Sequence, residues 1–407
     1  MAVEWWYAGQ GALVANRSGG SVDVAIVGGG AMGWSTAFWL TDAAPDLRVA
    51  VYEQDPGAAR SATALSVASI RQQFTTEINV KISRFGIDFM RNFEMTSGAS
   101  SDLGLHENGY LFLAGTTGGA EVLRQAAQLQ RRLGAATEVL QPPEIAARFP
   151  WLNIEGVALG SFGPKDEGWY DNMALLSGLR DAACRRGAYS VQAEVRAIAG
   201  RHGHASGVVL ADGSQVSAGA VVLAAGTGTP ALLHTLGEEC PVEPRKRTVF
   251  VIDAPEASHP DAPLLVDHSG FYLRPEGKYW LTALVPKQDG PCAADDFEPD
   301  LQDFDEYLWP KLYARAPEFA ALKLIRAWAG HYDFNRFDQN AVVGHWPGFS
   351  NLYVLTGFSG HGLQQAPAMG RGIAELLTSG RYLSLDLTAL RPERIAENTP
   401  VLEKAVV

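Results

Sequence analysis

The sequence predicts an α/β protein of two interleaved domains, one a parallel sheet wound with helices and the other an α+β unit on a mixed or antiparallel sheet. Three observations carry that prediction. Residues 22–53 read as strand, glycine-rich turn, helix and parallel strand. A second apolar strand, 220–225, runs into Gly226-Thr227-Gly228. A third, 352–356, runs into Gly357-Phe358-Ser359-Gly360-His361-Gly362 and a helix, some 300 residues after the first turn.

The first unit has a physical purpose at each position. Val22 to Val27 is apolar and largely β-branched, and it enters Gly28-Gly29-Gly30-Ala31-Met32-Gly33. Gly28 permits the turn, Gly30 lets backbone approach a pyrophosphate, and Gly33 lets the helix pack on the strand. Free N–H groups at the helix start, around Ala31 and Met32, favour phosphate. Glu53 closes the second strand twenty residues beyond Gly33, where a carboxylate can accept hydrogen bonds from a ribose. This is a Rossmann-like dinucleotide site. An acid at 53 argues against a 2′-phosphate and leaves FAD and NAD both open.

Composition bounds the rest. A chain of 407 residues with 47% hydrophobic side chains holds ample core and favours two domains. A net charge of −12 argues against nucleic acid or an anionic membrane as partner. The short basic run Arg245-Lys246-Arg247 reads as a strand edge or active-site lining. Cys184, Cys240 and Cys292 are widely spaced and read as free thiols of a reducing compartment. Residues 1–21 form an extension without the pattern of a secretory signal, and no apolar run is long enough to span a bilayer. The expectation is a cytoplasmic protein.

In chain order, 54–63 is a loop of small residues, including Gln54 and Ser61, that allows backbone close to a ligand. Amphipathic helices are expected at 77–94 and 121–133, with a strand at 109–114 between them. Pro142-Pro143 and Pro150 punctuate loops. A helix at 173–186 follows Asp166-Glu167-Gly168-Trp169-Tyr170-Asp171 and precedes a strand at Glu194-Val195 and a hairpin turning at Asp212-Gly213. Strands are expected at 249–252, 270–273 and 279–283, then an acidic helix at 304–314. Phe271, Tyr272, Tyr279 and Trp280 suit either one large-residue sheet face or the wall of an apolar pocket. A last helix spans 364–377.

On these motifs the chain resembles the D-amino-acid oxidase / sarcosine oxidase superfamily of FAD-dependent oxidoreductases, and within it the sarcosine- and dimethylglycine-oxidising branch. The resemblance covers 22–377. It rests on Val27 to Gly33, Ile70-Arg71-Gln72-Gln73-Phe74, Leu223-Ala224-Ala225-Gly226, and above all Gly357 to Gly362 with Ala366-Pro367-Ala368-Met369-Gly370. It implies FAD over NAD, with an FAD domain at 22–98, 160–235 and 326–390 and a substrate domain at 99–159 and 236–325.

The resemblance also implies roles. Gly28, Gly30, Ala31, Met32 and Gly33 would hold the pyrophosphate, with Glu53, Gln54 and Ser61 beside the adenosine half and the Val195 backbone on adenine. Ala225 and Gly226 would edge the cofactor. Gly357, Ser359, Gly360, His361, Gly362 and Leu363 would aim a helix N-terminus at the flavin pyrimidine, where reduction places negative charge. Arg71 would hold a substrate carboxylate bidentately. His361, Gln364 and Tyr272 complete the expected substrate contacts. Gly330 stands where sarcosine oxidases attach flavin through cysteine, and 54–74 lacks the histidine of dimethylglycine dehydrogenases, so FAD is expected to be non-covalent.

The implied reaction is oxidation of a small-molecule amine or amino acid by hydride transfer, giving an imine that hydrolyses, with oxygen or another acceptor taking the electrons. Two alternatives stay open: oxidation of a 2-hydroxy acid, with His361 as base, and a flavoprotein that serves as a non-catalytic subunit or assembly factor.

Overall fold

A strand that is apolar on both faces needs cover on both sides. Val24, Ala25, Ile26 and Val27 are buried, as are Val49, Ala50, Val51 and Tyr52. The structure, a computed structural model, describes residues 20–98, 102–201 and 203–404, so residues 1–19 of the expected extension lie outside it. Strand Ser21–Val27 pairs in parallel with Val49–Glu53 on one side and Gln215–Leu223 on the other. Tyr189–Gln192 and Leu352–Thr356 continue the sheet in parallel, and Val342–His345 adds an antiparallel edge. The hairpin Val195–Arg201 and His204–Leu210 extends from Gln215–Leu223.

Helix Ala31–Ala43 crosses this sheet and buries Trp34, Ala37, Phe38 and Leu40. Helix Gly362–Ser379 lies against it. Trp39 Nε1 donates to the Pro367 carbonyl at 2.9 Å, and a Cβ on Gly370 would stand 2.3 Å from Ser35 Oγ. The helices meet at van der Waals contact, which sets the first and last strand–glycine–helix units side by side.

A second eight-stranded sheet runs in the order Lys323–Asn335, Val242–Asp253, Tyr279–Leu284, Phe271–Glu276, Leu264–Val266, Tyr110–Ala114, Leu159–Gly163, Glu138–Leu140. Its pairings are antiparallel except that of Leu264–Val266 with Tyr110–Ala114. Period-two alternation divides its aromatics between two faces. Phe250, Phe271 and Trp280 join Phe304 and Phe319 in one core. Tyr110 and Tyr272 face the other way, into a cavity against the first sheet. Truncating Phe250, which is fully buried, to alanine removes about 3–5 kcal/mol of stability.

Several elements differ from expectation, each for a local reason. Pro142 and Pro143 open a helix, Pro142–Arg148, where a missing N–H costs nothing; Gln141 and Glu144 close it with a capping box. The helix expected at 121–133 is Thr117–Arg132, its start hidden by two glycines and capped by Thr116 Oγ1, which accepts from Gly119 N. The acidic helix opens with a π turn, Phe304–Leu308, before α-helix Trp309–Arg315. The sequence around Trp328 does not alternate cleanly, yet Lys323–Asn335 is a thirteen-residue strand. It pairs with Val242–Asp253 so that Arg245, Lys246 and Arg247 lie opposite Tyr332, His331 and Gly330. The boundaries expected at 160 and 326 fall inside strands of this second sheet.

The turn that ends Lys323–Asn335 is locked by an ion pair with no exposed surface. Arg394 donates from Nε and Nη2 to Asp338 at 2.9 and 3.0 Å. Removing one partner of such a pair costs about 3–5 kcal/mol. Cys184, Cys240 and Cys292 are free thiols, and no helix among the described residues is long and apolar enough to cross a membrane.

Candidate functional site

The first corner is set by backbone meeting backbone. Gly28 has φ +106°, and a Cβ there would lie 2.3 Å from the Ala224 carbonyl oxygen. No L side chain tolerates both the angle and the contact. A Cβ on Gly33 would lie 1.9 Å from the Gly28 carbonyl, so helix and turn touch. No side chain caps the helix at Gly30; the Ala31 N–H instead donates to Thr63 Oγ1, 3.0 Å away in the following loop. Glu53 accepts from Gly29 N at 2.7 Å and from Asp55 N at 2.8 Å, which orients its carboxylate beneath the corner. Asn172 pins the loop by donating to the Thr63 and Ala64 carbonyls.

The second corner is shaped from outside. Gly357, Ser359 and Gly360 all have positive φ. A Cβ on Gly360 would lie 2.5 Å from the Tyr332 ring. Asp333 Oδ2 accepts from Gly357 N at 2.8 Å, and its backbone carbonyl accepts from Ser359 N at 3.1 Å. Burial pushes the Asp333 carboxyl up to about 6, against the pull of the backbone N–H groups of Phe358, Asp333 and Gly357. Helix Gly362–Ser379 starts here, again with no side-chain cap.

Both corners border one cavity of about 410 Å³ between the sheets. At its second-sheet end lies Arg71, 3% exposed. Its guanidinium sits 4.0 Å from the centre of the Phe74 ring and 5.3 Å from that of Phe112, and donates to the Gln73 carbonyl. The Arg71 N–H donates to Gln364 Oε1, which also takes the Ser83 hydroxyl. His361 is buried edge-on to Phe74, with ring centres 5.1 Å apart. Tyr110, Tyr272 and Tyr332 line the same end, and burial raises all three phenols, so they are neutral donors at physiological pH.

Residues 286–300 cover one side without regular structure. Ala294, Asp295 and Phe297 from this cover line the cavity. Asp289 pairs with Arg245 and Arg247, and Asp296 and Asp300 pair with Lys246. Phe297 stacks on His331 at 4.2 Å.

Of the residues singled out from sequence, Gly28, Gly30, Ala31, Met32, Glu53, Gln54, Ser61, Arg71, Ala225, Gly226, Tyr272 and Gly330 line the cavity, as do Ser359, Gly360, His361, Gly362, Leu363 and Gln364. Gly33 and Gly357 lie behind its wall, where they shape the corners. Val195 is not brought to it: it begins the hairpin strand opposite Leu210 and joins the core beneath that strand. Thr63, Tyr110, Arg247, Tyr332 and Asp333 also form the wall. Arg247 belongs to the basic run read as a strand edge or active-site lining, and Thr63 to the small-residue loop expected beside a ligand. Tyr110, Tyr332 and Asp333 have no such pattern to mark them, because their positions depend on strand pairings far apart in the chain. The adjacency of Tyr332-Asp333 to the expected attachment position at Gly330 was the available signal.

The arrangement fits a dinucleotide with an aromatic head: two helix N-termini without an N-cap side chain, a cradle that Cβ atoms would fill, and a polar end beyond. Comparison with known proteins agrees. Residues 23–376 match the family described as FAD dependent oxidoreductase. The chain is 37% identical to FAD-dependent oxidoreductase domain-containing protein 1 of Xenopus laevis, covering 95% of this chain and 85% of that protein. It is 26% identical to 4-methylaminobutanoate oxidase (formaldehyde-forming) of Paenarthrobacter nicotinovorans, over 88% of this chain and 44% of that protein. In fold it is similar to L-proline dehydrogenase from P. horikoshii, with TM-score 0.81 at 24% identity, covering 93% of this chain and 98% of that one.

Proposed function

The chain belongs to the family of FAD dependent oxidoreductases, and on that premise we propose that it oxidises the C–N bond of a small amine or amino acid of the N-methyl or D-amino-acid kind. When bound, FAD supplies the two-electron oxidant that takes a hydride from the carbon beside the nitrogen. One observation carries the reading: both glycine corners and Arg71 border a single cavity. The name of the Paenarthrobacter relative supports an N-methylated amino acid as substrate class.

In this reading the amides around Gly28, Gly30, Ala31 and Met32 hold the pyrophosphate, and Glu53 holds the ribose. The N-terminus of helix Gly362–Ser379 borders the cavity and would favour negative charge on a flavin bound there. Gly330 offers no nucleophile and 54–74 contains neither cysteine nor histidine, so FAD is held non-covalently. Arg71 binds a substrate carboxylate, the three tyrosines donate hydrogen bonds around it, and the Phe74 and Phe112 rings keep water from the guanidinium. Gln364 fixes the Arg71 backbone. The amine enters neutral, and water hydrolyses the imine product to a carbonyl compound and a free amine. Oxygen or another acceptor takes the electrons.

The test is an anaerobic screen of N-methyl amino acids, D-amino acids, secondary amines and 2-hydroxy acids, with bleaching of the flavin absorbance as readout. Bleaching by an amine or amino acid is expected; silence across the panel overturns the reading. Arg71→Ala is expected to weaken carboxylated substrates by about 100-fold or more while leaving uncharged amines within a few-fold. Equal losses for both would remove Arg71 from the carboxylate site.

A further inference from the structure

The segment that carries Arg71 is held from behind by a carboxyl group that no part of the reaction uses. Glu167 is 1% exposed. Its Oε1 accepts from Gln72 N at 2.8 Å, and its Oε2 accepts from Gln73 Nε2 at 2.8 Å. Gln73 hands the restraint on. Its backbone carbonyl takes the Arg71 guanidinium, its amide also donates to the Tyr110 carbonyl at 2.8 Å, and its Oε1 accepts from Ser161 Oγ at 2.7 Å. The carboxylate occupies room that a glycine leaves, since a Cβ on Gly163 would stand 2.1 Å from Oε2.

We propose that Glu167 is the positioning residue for Arg71. Through Gln73 it fixes where the guanidinium lies, and through its charge it sets how strongly that end of the cavity holds an anionic group. The inference rests on the assignment of Arg71 to a substrate carboxylate.

The groups that face Glu167 define the electrostatics. Arg71 and Tyr110 lie on the cavity side, and Asp166 precedes it in the chain, paired with Arg91 and at 4.0 Å with Arg84. Arg91 is shared with Glu107. Burial is the dominant influence and pushes the Glu167 carboxyl up to about 8; the hydrogen bonds from Gln73 and Gln72 and the charge of Arg71 act against it. Below that pH the carboxyl is neutral and the field of Arg71 is intact. Above it the carboxylate cancels part of that field, so an anion binds less tightly as pH rises.

The experiment uses the FAD-loaded full chain with acetate as probe, its affinity read from the perturbation of flavin absorbance between about pH 6.5 and about pH 9.5. Acetate affinity of the unaltered protein is expected to fall roughly fivefold across that range, and Glu167→Gln to remove the step while FAD affinity is unchanged. Ser161→Ala, which frees one side of the Gln73 amide, is expected to weaken acetate about threefold at every pH without loss of FAD. A flat pH profile in the unaltered protein overturns the inference, whether or not Glu167→Gln folds, and so does the same step in Glu167→Gln. If Arg71→Ala leaves acetate affinity unchanged, the premise about Arg71 fails instead, and the two failures are distinguishable.

Discussion

The two glycine corners reach one cavity by opposite routes. The first is made by neighbours in sequence: Gly28, Gly33 and Glu53 belong to one βαβ unit, and backbone contacts with the adjacent strand at Ala224 leave no slack. The second has the same strand–turn–helix order, but its shape comes from Tyr332 and Asp333 on a strand of the other sheet. One corner is a rigid local device. The other joins the two sheets through side chains.

That contrast can be broken by substitution. Gly28→Ala should have the largest effect: the added Cβ meets carbonyl backbone at 2.3 Å, with no side chain to yield. Loss of bound flavin and a stability cost of about 3 kcal/mol or more are expected, read from visible absorbance and thermal melting. Gly360→Ala meets the Tyr332 ring, a side chain rather than backbone, though it too is strained by a φ of +92°. The flavin should stay while affinity for a carboxylated ligand falls about tenfold in a titration. If this variant also emerged colourless, the two corners would be equally rigid and the contrast would vanish.

Asp333→Asn sharpens the comparison through pH. The folded state raises this carboxyl to about 6, above its ordinary value, so it favours the protonated form. The stability this contributes is complete below about pH 4 and is lost as pH rises through 6. The native protein should therefore lose up to about 2 kcal/mol relative to Asp333→Asn between pH 4 and pH 7, measured by melting at each pH. Parallel melting curves would show that the carboxyl does not titrate in that window. Thr63→Val should be mildest. It removes the acceptor for the Ala31 N–H and is expected to cost about 1 kcal/mol, with FAD affinity down several-fold by equilibrium dialysis.

How far the sequence could be read follows from the range of the contacts involved. The first corner was legible because turn, helix and acid recur at fixed short spacing. The second was legible in its order, Gly357 to Gly362 before a helix, while the partners that shape it were not. Strand Lys323–Asn335 went unread because glycine, histidine and charged residues break its alternation, and it is specified by twelve paired positions along Val242–Asp253. Arg71 is singled out by its motif and lines the cavity. Its aromatic surroundings depend also on Phe112, 41 residues further along in the second sheet. Glu167 lies in the stretch Asp166 to Asp171, and nothing in the sequence marks it as buried behind Gln72 and Gln73. Val195, placed by resemblance, begins the expected strand and lies outside the cavity lining.

The cover over the cavity gives the basic run Arg245-Lys246-Arg247 a meaning its letters do not. All three cations are matched within the chain, by Asp289, Asp296 and Asp300, so the run read as a strand edge or active-site lining is both, and its charge is balanced by the cover. The same hasp has two clasps of unlike character. Dissolved ions loosen the half-exposed charge pairs, whereas the Phe297–His331 stack does not depend on them.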